Sequence, residues 1–324
     1  MNKIELLFIH KQLCTSRFFQ QKLLEAGLNA YTEFGEEAIS VGSALAMGDD
    51  VISCYFRGEG SALRLKGGIT LRDQMAWLLG RKNDSGFLST TLPSAWTDTA
   101  HGVIGTTSSL IGADADVAVG VAMAMKMKKT GKAVLFQSGD GATSKGNFHE
   151  CLNFCSLYHL PMILLVRGNG WAMSTNVERD IHVSSIPDMV KPFGFLIMEV
   201  DGNDILAVMK AVKQARKHAV QTGPVLIYAK TYRMSPHSAH DKDLYRDQAV
   251  KKMWEKKDPI LLLEKTMLDA DVPQSQISKN KAEAKSEIED AYSYALAQPA
   301  FTAQELLARQ QEVVRTIIYG REEN

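Results

Sequence analysis

Asp140 stands between Gly139 and Gly141 in SGDGATSKGN, immediately after the apolar run KAVLFQ, and Asn169 stands in RGNGWAMST after a second apolar run, PMILLV. A carboxylate oxygen and an amide oxygen that converge on one point make a site for a hard divalent cation. Mg2+ suits it best, because that ion takes few protein oxygens and completes its octahedron with water and phosphate. The flanking glycines allow a tight turn and let a phosphate approach the N–H groups that open the next helix. Either motif alone is a common turn. Joined at this distance, after two buried strands, they describe a site.

Rival chemistries fail on residue order. A phosphate-binding P-loop needs Gly-Lys-Ser/Thr where this chain has Ser144-Lys145-Gly146, and Gly139, Gly141 and Gly146 miss the dinucleotide spacing. His149 and Glu150 begin a zinc-protease signature that Asn153 breaks, since a second His is required there. The cysteines are Cys14, Cys54, Cys151 and Cys155, with no Cys-x-x-Cys pair. Cys151 and Cys155 lie one helical turn apart and read as a buried helix face, not as a metal or redox pair.

The elements that must position Asp140 and Asn169 follow a regular pattern from residue 113. A helix through ADVAVGVAMAMKMKK leads to strand KAVLFQ, helix NFHECLNFCSLYH, strand PMILLVR, strand FLIMEV, helix DILAVMKAVKQARKHAV and strand PVLIYAK. Strands that are apolar throughout, separated by helices, predict an α/β fold: a doubly wound, mostly parallel sheet with helices on both faces. Ligands of such a sheet gather outside the carboxyl ends of the strands, where both motifs fall. Upstream, residues 3–26 and the stretch ending at Gly48 read as helices, DVISCYF as a short strand, the glycines of YFRGEG as a turn and LRDQMAWLLGR as a helix, while 82–108 read as one long connection. The expected organisation is an α/β domain over 1–257, including the N-terminal helices, and a helical C-terminal extension over 258–324.

Composition narrows the partners. Lys and Arg total 37, as do Asp and Glu, so no net field attracts nucleic acid or an anionic membrane. No apolar run approaches the ~20 residues of a membrane helix, and the N-terminus lacks a signal-peptide pattern. A cytoplasmic protein is expected, acting on a small molecule.

Taken together, FGEEAISVGSAL, YFRGEG, AVGVAMAMK, GDGATSKGNFHECLNF, RGNGWAMST, VDGNDILAV, GPVLIYAKTYR, HSAHDKDLYR and KKDPI resemble the alpha chains of the thiamine diphosphate-dependent first component of 2-oxo acid dehydrogenase complexes. The resemblance covers nearly the whole chain and leans toward the branched-chain type. It implies a thiamine diphosphate-binding type of fold, with Mg2+ on Asp140, Asn169 and the backbone carbonyl of Trp171. Gly141 and Ala142 would meet the diphosphate through their backbone, Arg167 as a phosphate-binding Arg, and Phe56 and Arg57 in place of a Tyr-Arg pair. Ser109 and Ile111 would cradle the aminopyrimidine, and His237 would be the active-site His near the diphosphate.

Two alignments of the middle loop stay open. A gapless register places Ser108 where pyruvate-type members carry a His facing substrate, whereas HGVIG would place His101 there. Asp114 and Asp116 replace the usual Gln and Pro of a potassium loop, and Thr32 stands where pyruvate-type and acetoin-type chains often place a His. The resemblance implies oxidative decarboxylation of a 2-oxo acid, with acyl transfer to a lipoyl-bearing acyltransferase component. The activating Glu would come from a beta subunit, in an alpha2-beta2 heterotetramer. Phe56, Gly168 and Tyr228 depart from the family pattern and keep two alternatives open: a thiamine enzyme acting on acetoin or in biosynthetic acyl transfer, and a silent scaffold subunit.

Overall fold

The computed structural model describes residues 1–28, 30–84, 97–106, 108, 110–308 and 311. In chain order, the N-terminal part carries α1 (Lys3–Glu25), α2 (Glu37–Ala46), β1 (Val51–Ser53), α3 (Glu59–Leu65), α4 (Leu71–Leu78) and β2 (Val103–Ile104). The regular part carries α5 (Asp114–Met127), β3 (Val134–Gly139), α6 (Gly146–Leu157), β4 (Met162–Gly168), the small strands β5 (Trp171–Ala172) and β6 (Thr175–Asn176), α7 (Ile186–Val190), β7 (Leu196–Asp201), α8 (Ile205–Gln221) and β8 (Val225–Lys230). The helices α9 (Gln248–Glu255), α10 (Pro259–Asp269) and α11 (Gln274–Ala297) complete it.

Six strands form one sheet in the order β2-β1-β3-β4-β8-β7, and every pairing within it is parallel. The central strands are buried on both faces, so their residues divide by parity. Leu135, Ile163, Leu165 and Ile227 pack under α2 and α8 with Ile39, Val208 and Val212. Val134, Phe136, Leu164 and Val166 pack on α5 and α6 with Ala118, Ala122, Phe148 and Leu152. This is the predicted doubly wound sheet.

Differences lie at its edges. β7 is an edge strand: Leu196 is exposed, and Met198 and Val200 on one face and Ile197 on the other are only partly covered. β2 lies inside the stretch read as connection, and α3 inside the stretch read as a turn; β2 is two residues long, too short to show any periodicity. Residues 85–96 of that connection lie outside the described part.

The last helices return to the first. α10 places Ile260, Leu263 and Met267 against Leu6, Ile9 and Leu13 of α1, and α11 places Ile288, Ala291 and Ala295 against Phe19, Leu23 and Met75. α1 itself starts on a capping box, Asn2 accepting from the Glu5 N–H and Glu5 from the Asn2 N–H. Among the described residues no helix is long and apolar enough to cross a membrane.

Candidate active site

The register of the two central strands pairs Gly139 with Arg167, so their next residues emerge side by side at the carboxyl edge of the sheet. Asp140 opens a single 3-10 turn with Gly141 and Ala142; α6 begins at Gly146, one residue before the start read from the sequence. Gly170 has φ +78, and this left-handed turn sends its N–H back to Asp140 Oδ2 at 2.5 Å. Asn169 Oδ1 accepts from the Trp171 N–H at 3.0 Å, and its Nδ2 donates to Glu36 Oε1 at 3.0 Å.

Asp140, Glu36 and Asn169 are all buried. Asp140 Oδ1 and Glu36 Oε2 hydrogen bond to nothing among the described residues. An unpartnered buried carboxylate oxygen is costly. Burial raises the Asp140 carboxyl to about 7, against the pull of the N–H groups of Gly170, Trp171 and Asn169 and with a smaller push from Glu36. A bound cation would reverse that shift. Among the described residues no cluster of three or more His, Cys, Asp and Glu side chains stands ready for a metal, so a cation here would need backbone and ligand oxygens beside Asp140 and Asn169. That is the donor set a phosphate-bridged Mg2+ favours, and the residues present fit it.

Two buried guanidinium groups lie near this edge without a carboxylate in reach. Arg57 is fully buried; its Nη1 donates to the Thr32 carbonyl at 2.9 Å and its Nη2 to the His237 carbonyl at 2.7 Å, while Nε has no partner. Arg233 is held by the Ser235 carbonyl at 3.2 Å and the Tyr245 hydroxyl at 3.3 Å. Neither makes an ion pair among the described residues, so an anion would be welcome beside them. Arg57 Nη2 also lies 2.9 Å from His237 Nδ1. Since a guanidinium only donates, Nδ1 must accept, and the ring is neutral with its proton on Nε2. Burial first, then Arg57 and Arg233, push the His237 pKa down to about 4. The ring is thus a fixed N–H donor near neutral pH. Its loop is held by Asp241, which accepts from the His237 N–H at 2.8 Å and from the Tyr245 hydroxyl at 2.6 Å.

The other sequence candidates fall into place unevenly. Phe56 packs its ring against Tyr31, Tyr55 and His237, with the Arg57 guanidinium 4.9 Å from its centroid. Arg167 is buried, but both Nη atoms are committed: Nη1 to Glu33 at 3.2 Å, Nη2 to Ser40 at 2.5 Å and Gln137 at 3.0 Å. Trp171 packs on Tyr245. Ile111 is 40% exposed in the turn before α5, and Ser109 lies outside the described residues. Ser108 follows β2, toward the carboxyl edge. His101 precedes β2, pairs with Asp98 at 2.7 Å, and neighbours Gly102, which abuts Asp50 at the start of β1. His101 thus lies at the amino edge of the sheet, opposite the carboxyl edge that carries Asp140.

Sequence reading missed Glu36 as a member of this group; its signal, the FGEE start of α2, shows no spacing to Asp140. Arg233, in the TYRM stretch before His237, reads from the sequence as a support for the His237 loop, and its bonds go to the Ser235 carbonyl and the Tyr245 hydroxyl on either side of that residue. It also left Gly168 and Tyr228 as unrelated departures. A Cβ at Gly168 would sit 2.4 Å from the Tyr228 ring, so the glycine is the condition for that tyrosine. The four cysteines are free and buried.

The dehydrogenase E1 component family matches residues 20–304, and the chain belongs to it. The relatives named below are alpha subunits. The chain is 32% identical over 269 residues to the 2-oxoisovalerate dehydrogenase subunit alpha of Bacillus subtilis, covering 79% of this chain and 81% of that one. It is 35% identical over 190 residues to the pyruvate dehydrogenase E1 component subunit alpha of Acholeplasma laidlawii, covering 57% of this chain and 55% of that one. It is 36% identical over 212 residues to the mitochondrial 2-oxoisovalerate dehydrogenase subunit alpha 1 of Arabidopsis thaliana, covering 65% and 44%. The chain thus spans about half the length of the last two.

Proposed function

We propose that this chain is the alpha subunit of a thiamine diphosphate- and Mg2+-dependent 2-oxo acid dehydrogenase that decarboxylates a branched 2-oxo acid oxidatively and passes the acyl group to a lipoyl-bearing acyltransferase. Its partner is a beta subunit in an alpha2-beta2 assembly. The observation that carries the reading is charge left unmet along one edge of the sheet: Asp140 Oδ1 without a donor after β3, and Arg57 after β1 and Arg233 after β8 without an acid among the described residues. A cofactor that is at once a diphosphate and the ligand of a divalent cation satisfies both.

In this reading Asp140, Asn169 and the Trp171 carbonyl hold Mg2+, and Arg57 with the backbone of Gly141 and Ala142 holds the diphosphate. Thiamine diphosphate supplies the electron sink that makes loss of carbon dioxide possible. His237, neutral and anchored through Nδ1, presents Nε2–H to negative charge developing on the substrate and does not act as a base. Ser109 and Ile111 cradle the aminopyrimidine. Arg167 joins the diphosphate set only if its pair with Glu33 opens, which makes Arg57 the principal phosphate ligand. The activating Glu is assigned to the beta subunit. The buried free thiols suit the reducing cytoplasm in which we place the protein.

The test is co-expression with the beta subunit, followed by calorimetry of thiamine diphosphate with and without Mg2+ and turnover of a 2-oxo acid panel and acetoin with an artificial electron acceptor. Mg2+-dependent binding with branched 2-oxo acid turnover is expected. Acetoin turnover alone would replace the substrate, and absence of cofactor binding would leave a scaffold.

A further inference from the structure

A second cavity lies behind the Phe56 ring, enclosed by α1, α3 and α4, with a volume of about 120 Å3. Its walls are largely apolar, from Phe19, Leu63 and Trp77, and Phe56 and Tyr31 close the side toward His237. One strongly polar group stands in this lining without compensation. Arg64 Nε and Nη2 are shut off from solvent and hydrogen bond to no described residue, and the Gln74 Oε1 nearby is likewise unpartnered. Among the described residues the only carboxylate in the wall, Glu33, is already spent on Arg167, Ser40, Ser16 and Gln20. Burial pushes the Arg64 pKa down to about 10, with Glu33 and Glu287 opposing from a distance.

Nε and Nη2 form the edge of a guanidinium that receives both oxygens of a carboxylate side by side. Arg64 as a whole is half-buried, but a guanidinium edge shut off from solvent in the wall of a largely apolar cavity is a cation's edge lacking its anion. The cavity is also selective for size. A cavity of roughly 150 Å3 admits a benzene ring, so this one takes about five or six non-hydrogen atoms.

We propose that this cavity is a binding pocket for a short-chain carboxylate, with Arg64 as the anion-binding group and the Phe19, Leu63 and Trp77 wall against its hydrocarbon part. The carboxylate has two sources of the same chemistry. It is the far end of a dicarboxylic 2-oxo acid reaching past Phe56 and Tyr31, which would replace the branched acid proposed above as the substrate, or a separate small acid that occupies the pocket without being consumed.

Direct binding to the full-length chain tests this independently of turnover, by ligand-observed NMR and calorimetry with propionate, isobutyrate and glutarate. Saturable binding of at least one is expected. Arg64→Met should weaken it at least ~10-fold, Arg64→Lys less, since it keeps the charge but not the fork. Ser61→Leu should abolish it by filling the pocket while leaving Arg64 in place, and serves if Arg64→Met does not fold. If the substrate's own far end is the ligand, the thiamine diphosphate-loaded chain binds a 2-oxo dicarboxylic acid more tightly than the monocarboxylic acid of equal length, and Arg64→Met removes the difference. If a separate acid is the ligand, the two 2-oxo acids bind alike and propionate competes with neither. No saturable binding up to about 20 mM, or equal affinity in wild type and Arg64→Met, overturns the pocket whatever the fate of the enzymatic reading.

Discussion

The helical layer formed by α1, α4 and α11 and the carboxyl edge of the sheet are both rich in charge, and they treat it in opposite ways. In the layer, Lys11 meets Glu287 at 2.7 Å, Lys22 meets Glu289 at 2.7 Å, and even the buried His10 is held by Glu264 at 3.1 Å and Asn280 at 3.0 Å. Most of those charges also touch water. At the sheet edge, Asp140, Arg57 and Arg233 are almost wholly buried and, among the described residues, not one of them has an opposite charge in contact. Packing alone gives no reason to bury such groups, because apolar residues would fill the same space at lower cost. Matched charge marks a surface that holds two helices in register; unmatched charge marks a surface waiting for a charged molecule.

The sharpest way to break that contrast is Asp140→Asn. The amide keeps an acceptor for the Gly170 N–H but removes the charge. Mg2+-dependent thiamine diphosphate binding should fall by more than ~100-fold in calorimetry, while the melting temperature without cofactor stays or rises, since a buried unpaired charge has gone. Affinity within twofold of wild type would remove Asp140 from the cation site. Next in size is Arg57→Met. A charge-assisted hydrogen bond contributes about 1.5–3 kcal/mol, so diphosphate affinity should drop ~10- to 100-fold, and inorganic pyrophosphate should lose affinity in parallel. If Arg167→Met proves the more damaging, the pair with Glu33 opens on binding and the ranking of the two arginines is reversed.

The same contrast explains what could be read from the chain alone. The central sheet was legible because β3, β4 and β8 are covered on both faces, and continuous apolar runs with intervening helices have few other solutions. The closeness of Asp140 and Asn169 followed from those strands, since the residue after a parallel strand has a fixed neighbour. Glu36 was not legible in this way. Glu36 meets Asn169 across 133 positions of sequence, and no periodicity encodes a contact between a helix start and a strand end that distant. Arg167 shows the opposite difficulty: its place at a strand end was clear, but strand parity turns it toward α2 and Glu33, a partner that only the packing of α2 reveals. α3 was hidden by its glycines, which read as a turn and in fact let the helix start hard against Ser40 and Glu33, where a Cβ at Gly58 would lie 1.9 and 2.2 Å from their side-chain oxygens.

Acidification sharpens the comparison at smaller scale. The His237 pKa is about 4 in the folded chain and ~6.5 when unfolded, so between these values the unfolded state binds more protons. The contribution is therefore fully present above pH ~6.5 and lost as pH falls through 4. After discounting for partial solvent access it should amount to about 1–2 kcal/mol. Urea titrations at pH 7 and pH 4.5 should show wild type losing that much relative to His237→Asn; parallel losses in the two proteins would mean that the ring is not pressed between Arg57 and Arg233.

The smallest effect belongs to the helical layer. Lys11 reaches Glu287 across the α1–α11 seam while both side chains remain in contact with water. An exposed ion pair of this kind contributes ~0–1 kcal/mol, because the attraction is screened and two long side chains must be ordered to make it. Lys11→Met keeps the aliphatic stem over the seam and removes the charge, so the melting temperature should move by no more than a few degrees and cofactor affinity not at all. Adding salt to wild type should reproduce most of the shift, whereas salt cannot screen an arginine walled away from water. A salt-independent loss well beyond ~1 kcal/mol would show that charge in this layer is also doing buried work, and the distinction between the two regions would have to be drawn by depth instead of by pairing.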